Sequence, residues 1–121
     1  MSNSPKNLYK KLLGKRGELL TIKYLKKLKF TILETNYKTP TGEADIIARK
    51  DDNVVFVEVK TRTSTRFGTP SQAVDYKKQE KYRQIALHYI KEKNLDDNIV
   101  VSFSVSEVLN GKINYIEEAF E

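Results

Sequence analysis

Asp45, Glu58 and Lys60 are the residues of this chain whose types and spacing could do chemistry together. They fall within GEADIIARKDDNVVFVEVKTR, Gly42 to Arg62, where two apolar runs flank Lys50-Asp51-Asp52-Asn53, a polar cluster typical of a tight turn. A two-residue loop at Asp51-Asp52 pairs Lys50 with Asn53. The same register sets Asp45 across from Glu58, Ile47 from Phe56 and Glu43 from Lys60. Side chains alternate along a strand, so these residues share one face, and Ala44, Ile46, Ala48, Val55, Val57 and Val59 share the other. Two opposed carboxylates repel, at a cost of up to ~1 kcal/mol. A hard cation such as Mg²⁺ reverses that cost, because it takes one or two carboxylate oxygens, keeps several waters and accepts phosphate oxygens from a substrate. Lys60 would sit beside the ion, where an ammonium can orient an attacking water or offset charge building on phosphorus. An Asp on one strand and Glu-x-Lys on its neighbour form the constellation that metal-assisted phosphodiester hydrolysis needs. The plainer alternative is a surface hairpin whose Glu43, Asp51, Asp52 and Lys60 are solvated charges.

The elements that must position these residues follow from periodicity. Residues 1–7 are polar and expected to be loose, with a single domain over 8–121. From Leu8 to about Lys29 the pattern is helical. At roughly 100° per residue, Leu13, Leu20, Ile22, Tyr24, Leu25 and Leu28 share one arc, with lysines opposite and Leu12 and Leu19 breaking the separation. Glu18 falls inside the apolar arc. A buried carboxylate is costly unless it is paired or bound to metal, so a salt bridge to a nearby lysine, a carboxylate reaching past the helix edge and a metal ligand are all readings of it. Phe30–Tyr37 reads as a first strand and Thr39-Pro40-Thr41-Gly42 as a turn, followed by the hairpin strands at about 44–49 and 53–60. The basic, hydroxyl-rich loop TRTSTRFGTPS, 61–71, precedes a second helix of about 71–93 striped with Val74, Tyr82, Ile85, Ala86, Tyr89 and Ile90. Two closing strands, 99–108 and 113–116, flank Asn110-Gly111, a strong hairpin-turn signal.

Composition sets outer limits. At 121 residues the chain is one domain that buries about two-thirds of its unfolded surface. It has no cysteine, which excludes disulfide staples and thiolate chemistry and fits a reducing, cytoplasmic location. No apolar stretch approaches the ~20 residues of a membrane span, and the N-terminus lacks an apolar signal core. A net charge of +6 favours an anionic partner, nucleic acid first among them. His88, the one histidine, reads as a helix-surface or packing residue, and Ser64 and Ser71 have no histidine or acid at suggestive spacing. Gly14-x-x-Gly17 lacks the preceding strand and the Gly-Lys-Ser/Thr of a phosphate loop.

Taken together, Gly14-Lys15-Arg16-Gly17-Glu18, Gly42-Glu43-Ala44-Asp45, the run Phe56 to Arg62, Phe67-Gly68-Thr69-Pro70 with Ala73-Val74 and Lys78-Gln79, and Glu118-Ala119-Phe120 resemble the YraN-like family. These are small bacterial proteins described as candidate endonucleases with a restriction-endonuclease-like, PD-(D/E)xK, domain. The resemblance covers about residues 8–120. It implies an α/β fold with a central mixed sheet of about five strands flanked by helices, in the order α-β-β-β-α-β-β. It also implies that Asp45 and Glu58 are metal-binding acids, that Lys60 is the catalytic lysine, and that Glu18 reaches the metal from the first helix. Gln79, followed by Tyr82, is similar to a Gln–Tyr helix motif in which the glutamine aligns the site. Where the family commonly carries Arg-Phe-Asp, this chain has Ser102-Phe103-Ser104, which suggests a lost surface pair or an altered DNA contact.

Two readings follow. In the first the chain is a Mg²⁺- or Mn²⁺-dependent DNA endonuclease, with branched or recombination and repair intermediates among its candidate substrates. Arg62, Arg66, Lys77 and Lys78 would grip phosphates without reading sequence. In the second it is a non-catalytic nucleic-acid-binding module on the same scaffold. Resolving a symmetric junction would need two sites, so a homodimer is open on the first reading.

Overall fold

The computed structural model describes residues 5–62 and 76–120. Arg66, most of the basic loop and the expected start of the second helix at 71–75, with Val74, lie outside the described residues. Seven elements follow in the order α1 (Pro5–Lys27), β1 (Thr31–Lys38), β2 (Glu43–Lys50), β3 (Asn53–Arg62), α2 (Tyr76–Lys93), β4 (Val100–Leu109) and β5 (Lys112–Phe120). The helix α1 begins at Pro5, a turn before the apolar periodicity does, and proline is favoured at a first helical position because its missing N–H has no partner there anyway. β5 runs to Phe120, past the apolar stretch that marks it in the sequence.

The strands form one sheet in the order β1-β2-β3-β4-β5. Every neighbouring pair is antiparallel except β3 and β4, which are parallel in an unbroken register from Asn53↔Val100 to Arg62↔Leu109. A parallel pair cannot be closed by a tight turn; here the connection between the two strands contains α2. The β2–β3 turn has the expected register, Lys50↔Asn53 and Ile47↔Phe56, with Asp51 in the left-handed region at φ 55°. At the β4–β5 turn Asn110 and Gly111 both take positive φ, 51° and 80°, as the mirror-image hairpin turn requires. This is the restriction-endonuclease-like α/β architecture, a five-stranded mixed sheet with a helix layer on each side.

Both sheet faces are buried. Leu25 of α1 packs with Ile46, Ala48, Val55 and Val57 on one face. Tyr82, Ile85, Ala86 and Tyr89 of α2 pack with Tyr37, Ala44, Ile47, Val54, Phe56 and Phe103 on the other. Leu12 and Leu19, which break the sequence's helical arc, are exposed. α1 is pinned over the far end of the sheet by Thr21, whose hydroxyl donates to the Gly17 carbonyl (2.8 Å) and lies 2.7 Å from the Ser106 hydroxyl on β4. Gly17 makes this approach feasible, because a Cβ there would come within 2.0 Å of Thr61 Oγ1.

Besides register shifts at Ile32/Glu34 of β1 and Phe103/Val105 of β4, alternation fails at the far end of β2. Ala44 and Ile47 both belong to the α2 layer although two residues, Asp45 and Ile46, separate them, whereas regular alternation leaves an odd number between residues on one face. Opposite this point β1 carries Asn36 at φ 52°. A left-handed residue in a strand reverses the pleat, and asparagine tolerates that conformation better than other non-glycine residues. The expectation that Ala44 shares a face with Ile46 is therefore corrected, and the side chains of Glu43 and Asp45 are re-aimed towards the α1 side.

Candidate active site

The ladder between β2 and β3 stops at Ile46↔Val57, and the two strands part beyond it. Side chains occupy the fork. The Val59 N–H donates to Asp45 Oδ2 at 2.8 Å, so the carboxylate takes the place of a ladder carbonyl. The Asp45 N–H donates to the Tyr82 hydroxyl of α2. Each of these two N–H groups thereby keeps a partner where the strands part.

Asp45 lines a cavity of about 580 Å³ with Asn36, Val59 and, from α1, Gly14, Lys15 and Glu18. The Asn36 amide nitrogen, oriented towards its two acceptors, donates to Glu18 Oε1 (2.9 Å) and Glu43 Oε1 (3.0 Å). Glu18 on α1 is thus linked through that amide to Glu43 on β2, with Lys15 of the same helix turn acting on its charge. Glu58 points into the α2 layer, is 93 % buried and is ion-paired through Oε1 with Lys78. Its Oε2 is buried without a hydrogen-bond partner among the described residues.

The electrostatics record a crowd of like charges. Burial pushes the Asp45 carboxyl up to about 6, the Val59 N–H opposes that, and the charges of Glu18, Glu58 and Glu43 add to it. Glu18 is also raised, by burial first, with Lys15 opposing and Glu43 adding. Burial lowers the Lys60 ammonium, while Glu58 and Glu107 pull it up and Lys78 and Arg62 push it down. The expected pairing of Asp45 with Glu58 on one face is therefore corrected: the ladder ends before it, Asp45 opens towards α1 and Glu58 towards α2, and the two act on each other only as like charges across the fork.

Lys60 is half-buried two residues after Glu58. Gln79 is half-buried and Lys77 exposed in the first turns of α2. Arg62 closes β3. Tyr37 belongs to the core, 5.1 Å edge-on from Tyr89, whereas Tyr9 and Tyr76 are exposed. His88 lies on the surface of α2, 3.7 Å from Glu92. Two members were missed in the sequence. One is Asn36, whose signal is an asparagine inside a strand. The other is Glu107, level with Lys60 in the parallel register and 93 % buried, with Oε2 accepting from Asn114 at 3.3 Å and Oε1 unpartnered among the described residues. Its signal is the alternation Phe103-x-Val105-x-Glu107, which puts an acid on a core face.

Among the described residues no three carboxylate or imidazole groups converge into a ready-made metal cage. Mg²⁺ does not require one, since it is held by one or two carboxylates and retained waters. A Glu58 oxygen without a partner among the described residues, and an Asp45 carboxyl raised by burial first and by neighbouring negative charge after it, are features a hard divalent cation would relieve.

The description "Uncharacterised protein family UPF0102" fits residues 17–108. The chain belongs to the UPF0102, or YraN-like, family. It is 46% identical over 113 residues to a UPF0102 protein of Alkaliphilus metalliredigens, covering 91% of this chain and 98% of that one. A UPF0102 protein of Caldanaerobacter subterraneus is 43% identical over 121 residues, covering 95% and 99%. Another, from Dictyoglomus thermophilum, is 53% identical over 83 residues, covering 69% and 70%. In this UPF0102 member, Ser102 and Ser104 sit on the α1 side, level with Val55 and Val57 and short of the fork. Ser104 is buried, and Ser102 donates to Asn53 Oδ1 at 2.9 Å. The departure at these positions is thus internal rather than a lost surface pair. Among the described residues no helix is long and apolar enough to cross a membrane.

Proposed function

We propose that this UPF0102 protein is a metal-dependent endonuclease that hydrolyses DNA phosphodiester bonds, with branched or recombination and repair intermediates as its substrate class. The observation that carries this reading is the β2–β3 fork, where two carboxylates from adjacent strands interact while one keeps a buried oxygen with no partner among the described residues. Asp45 and Glu58 would hold Mg²⁺ or Mn²⁺, with Glu18 contributing from α1, once Glu58 leaves Lys78 and turns from the α2 side towards Asp45. The ion supplies Lewis acidity towards a phosphoryl oxygen and lowers the pKa of a bound water. The Val59 N–H fixes one oxygen of Asp45, so its carboxylate is oriented before any ligand arrives. Lys60, kept in a low-dielectric setting between Glu58 and Glu107, presents an ammonium beside the reacting phosphate. Gln79 aligns the site from α2, and Arg62, Arg66, Lys77 and Lys78 position the DNA backbone.

One observation favours a non-catalytic DNA-binding module instead: Lys78 already pairs with Glu58, which a metal would have to share. Labelled linear, flapped and four-way DNA incubated with Mg²⁺ or Mn²⁺ separates the two. Cleavage that disappears in both Asp45→Asn and Lys60→Ala supports the endonuclease. Binding without cleavage, undiminished in Asp45→Asn, supports the module.

A further inference from the structure

At ~100° per residue, Leu8, Lys11, Lys15, Glu18, Ile22 and Leu25 fall within roughly 100° of one another on α1, a single stripe along most of the helix. Its C-terminal half belongs to the core, where Leu25 is fully buried and Ile22 packs against the same cluster. Its N-terminal half does not. There the stripe turns acidic at Glu18 and basic at Lys15 and Lys11, and it lines the cavity of about 580 Å³ that holds Asp45. Lys15 acts on the charge of Glu18, which sets its ammonium on the cavity side. Lysines at i and i+4 repel each other on a helix surface, and an anion held by both relieves that repulsion.

The same face carries a glycine that no contact among the described residues explains. Gly14 lines the cavity in mid-helix with a right-handed backbone, and a Cβ there would meet no atom within 4 Å among those residues. Alanine is more stable at such a position, whereas glycine suits a place where a ligand comes close to the backbone. Gly17 differs, since it faces Thr61, which leaves no room for a methyl, and Arg16 beside it lies against Gly111 of the β4–β5 turn. In the run from Gly14 to Glu18, Arg16 and Gly17 thus pack against the protein, while Gly14, Lys15 and Glu18 face the cavity. Leu8 and Leu12 line the same cavity although they are 50 % and 60 % exposed. Lysines beside water-facing leucines match the two halves of a nucleotide, phosphate on the ammonium groups and sugar and base on the leucines. The volume lies within the range of small-ligand sites, ~300–1,000 Å³. Stacking in a duplex hides the base faces that the leucines would cover, and an unpaired nucleotide exposes them.

We propose that this half of α1 is the strand-binding wall of the acidic cavity and that it takes single-stranded DNA in preference to duplex. Lys11 and Lys15 hold backbone phosphates, Leu8 and Leu12 pack against an unpaired nucleoside, and Gly14 lets the sugar–phosphate backbone lie against the helix. A phosphate at Lys15 is one helical turn from Glu18, and so beside the carboxylates of the site. The inference rests on DNA being the substrate, and it narrows the substrate class to strands unpaired at the site, such as a flap, a fork or a frayed end.

The test is fluorescence anisotropy with a labelled thymidine decanucleotide and with a blunt duplex of the same length, in EDTA and again with Ca²⁺, so that binding is read apart from cleavage. The single strand is expected to bind at least about fivefold tighter. Lys11→Ala and Lys15→Ala should each weaken it about tenfold and flatten the salt slope by roughly 0.7, the value of one single-strand phosphate contact. Lys27→Ala, the same charge change on the opposite side of α1, should stay within about twofold of the parent. Leu12→Ser should bring strand affinity level with duplex affinity without altering the slope. Gly14→Ala should raise the melting temperature while weakening strand binding about fivefold, a pairing that a glycine needed for packing does not give. Melting curves report that each variant folds, and Lys11→Gln or Lys15→Gln replaces an alanine variant that does not. Failure to bind the strand in either buffer, equal affinity for strand and duplex, or affinities within about twofold of the parent in both folded lysine variants overturns the proposal. A Gly14→Ala protein that melts lower and binds as before also overturns it. Cleavage of DNA alongside unchanged affinity in these variants removes the wall and leaves the endonuclease standing. Strand binding that depends on Lys11, Lys15 and Gly14 in a protein that never cleaves keeps the wall and sinks the endonuclease.

Discussion

Replacing Asp45 with asparagine is expected to make the protein more stable at neutral pH. In the folded chain the carboxyl is raised from 3.8 to about 6, by burial and by Glu18, Glu58 and Glu43. An acid whose folded value lies above its unfolded one holds its proton longer in the folded state. Stability therefore falls as pH rises from about 4 through about 6, and the loss is complete above that window. Two pH units at about 1.4 kcal/mol each set a ceiling near ~3 kcal/mol, and the partial exposure of Asp45 reduces it to roughly 1–2 kcal/mol through solvent screening. Asparagine keeps an oxygen for the Val59 N–H and removes the charge. At this chain length the gain amounts to a melting temperature roughly 4–8 °C higher at pH 7.5. The assay is thermal unfolding by circular dichroism in EDTA, parent against variant, from pH 3.5 to 7.5. The difference should be small at the acid end and open between pH 4 and 6. Millimolar Mg²⁺ should then raise the parent and not the variant. A variant less stable than the parent at pH 7.5, or a difference that does not change with pH, would refute the charge-crowding argument.

Three further outcomes are expected. Gly17→Ala drives a methyl into Thr61 Oγ1 and should cost about 1–3 kcal/mol in urea unfolding; Thr61→Ala in the same chain should restore much of it. Thr21→Val keeps the shape but strands the buried Ser106 hydroxyl, for a loss of about 1–3 kcal/mol that Ser106→Ala should largely reverse. Asn36→Ala should destabilise more than Asn36→Gly, by about 1 kcal/mol, because glycine accepts the left-handed backbone and alanine does not. Both Asn36 variants leave Glu18 and Glu43 without their shared donor, so their deficit should shrink at high salt.

Much of the frame was readable from local signals. The Asp51-Asp52 and Asn110-Gly111 turns, the helical stripe ending in Tyr82, Ile85, Ala86 and Tyr89, and the order of elements all depend on residues within a turn or two of one another. The failures lie where distant segments meet. Alternation predicted that Glu43 and Asp45 would face Lys60 and Glu58, yet the left-handed Asn36 on a neighbouring strand re-aims them. Glu107 was overlooked because it joins Lys60 only through the parallel β3–β4 pairing, across 47 positions of sequence.

By itself the sequence determined which residues could do chemistry here and which elements carry them, since residue type and periodicity are properties of short stretches. The tertiary structure decided how they meet: Asp45 bonded to the Val59 N–H, Glu58 paired with Lys78, Glu18 bridged to Glu43 through Asn36, and Arg16 set against the turn at Gly111. Charge–charge and hydrogen-bond energies depend on distance and dielectric, and both are created only when the strands part and the helices close over them.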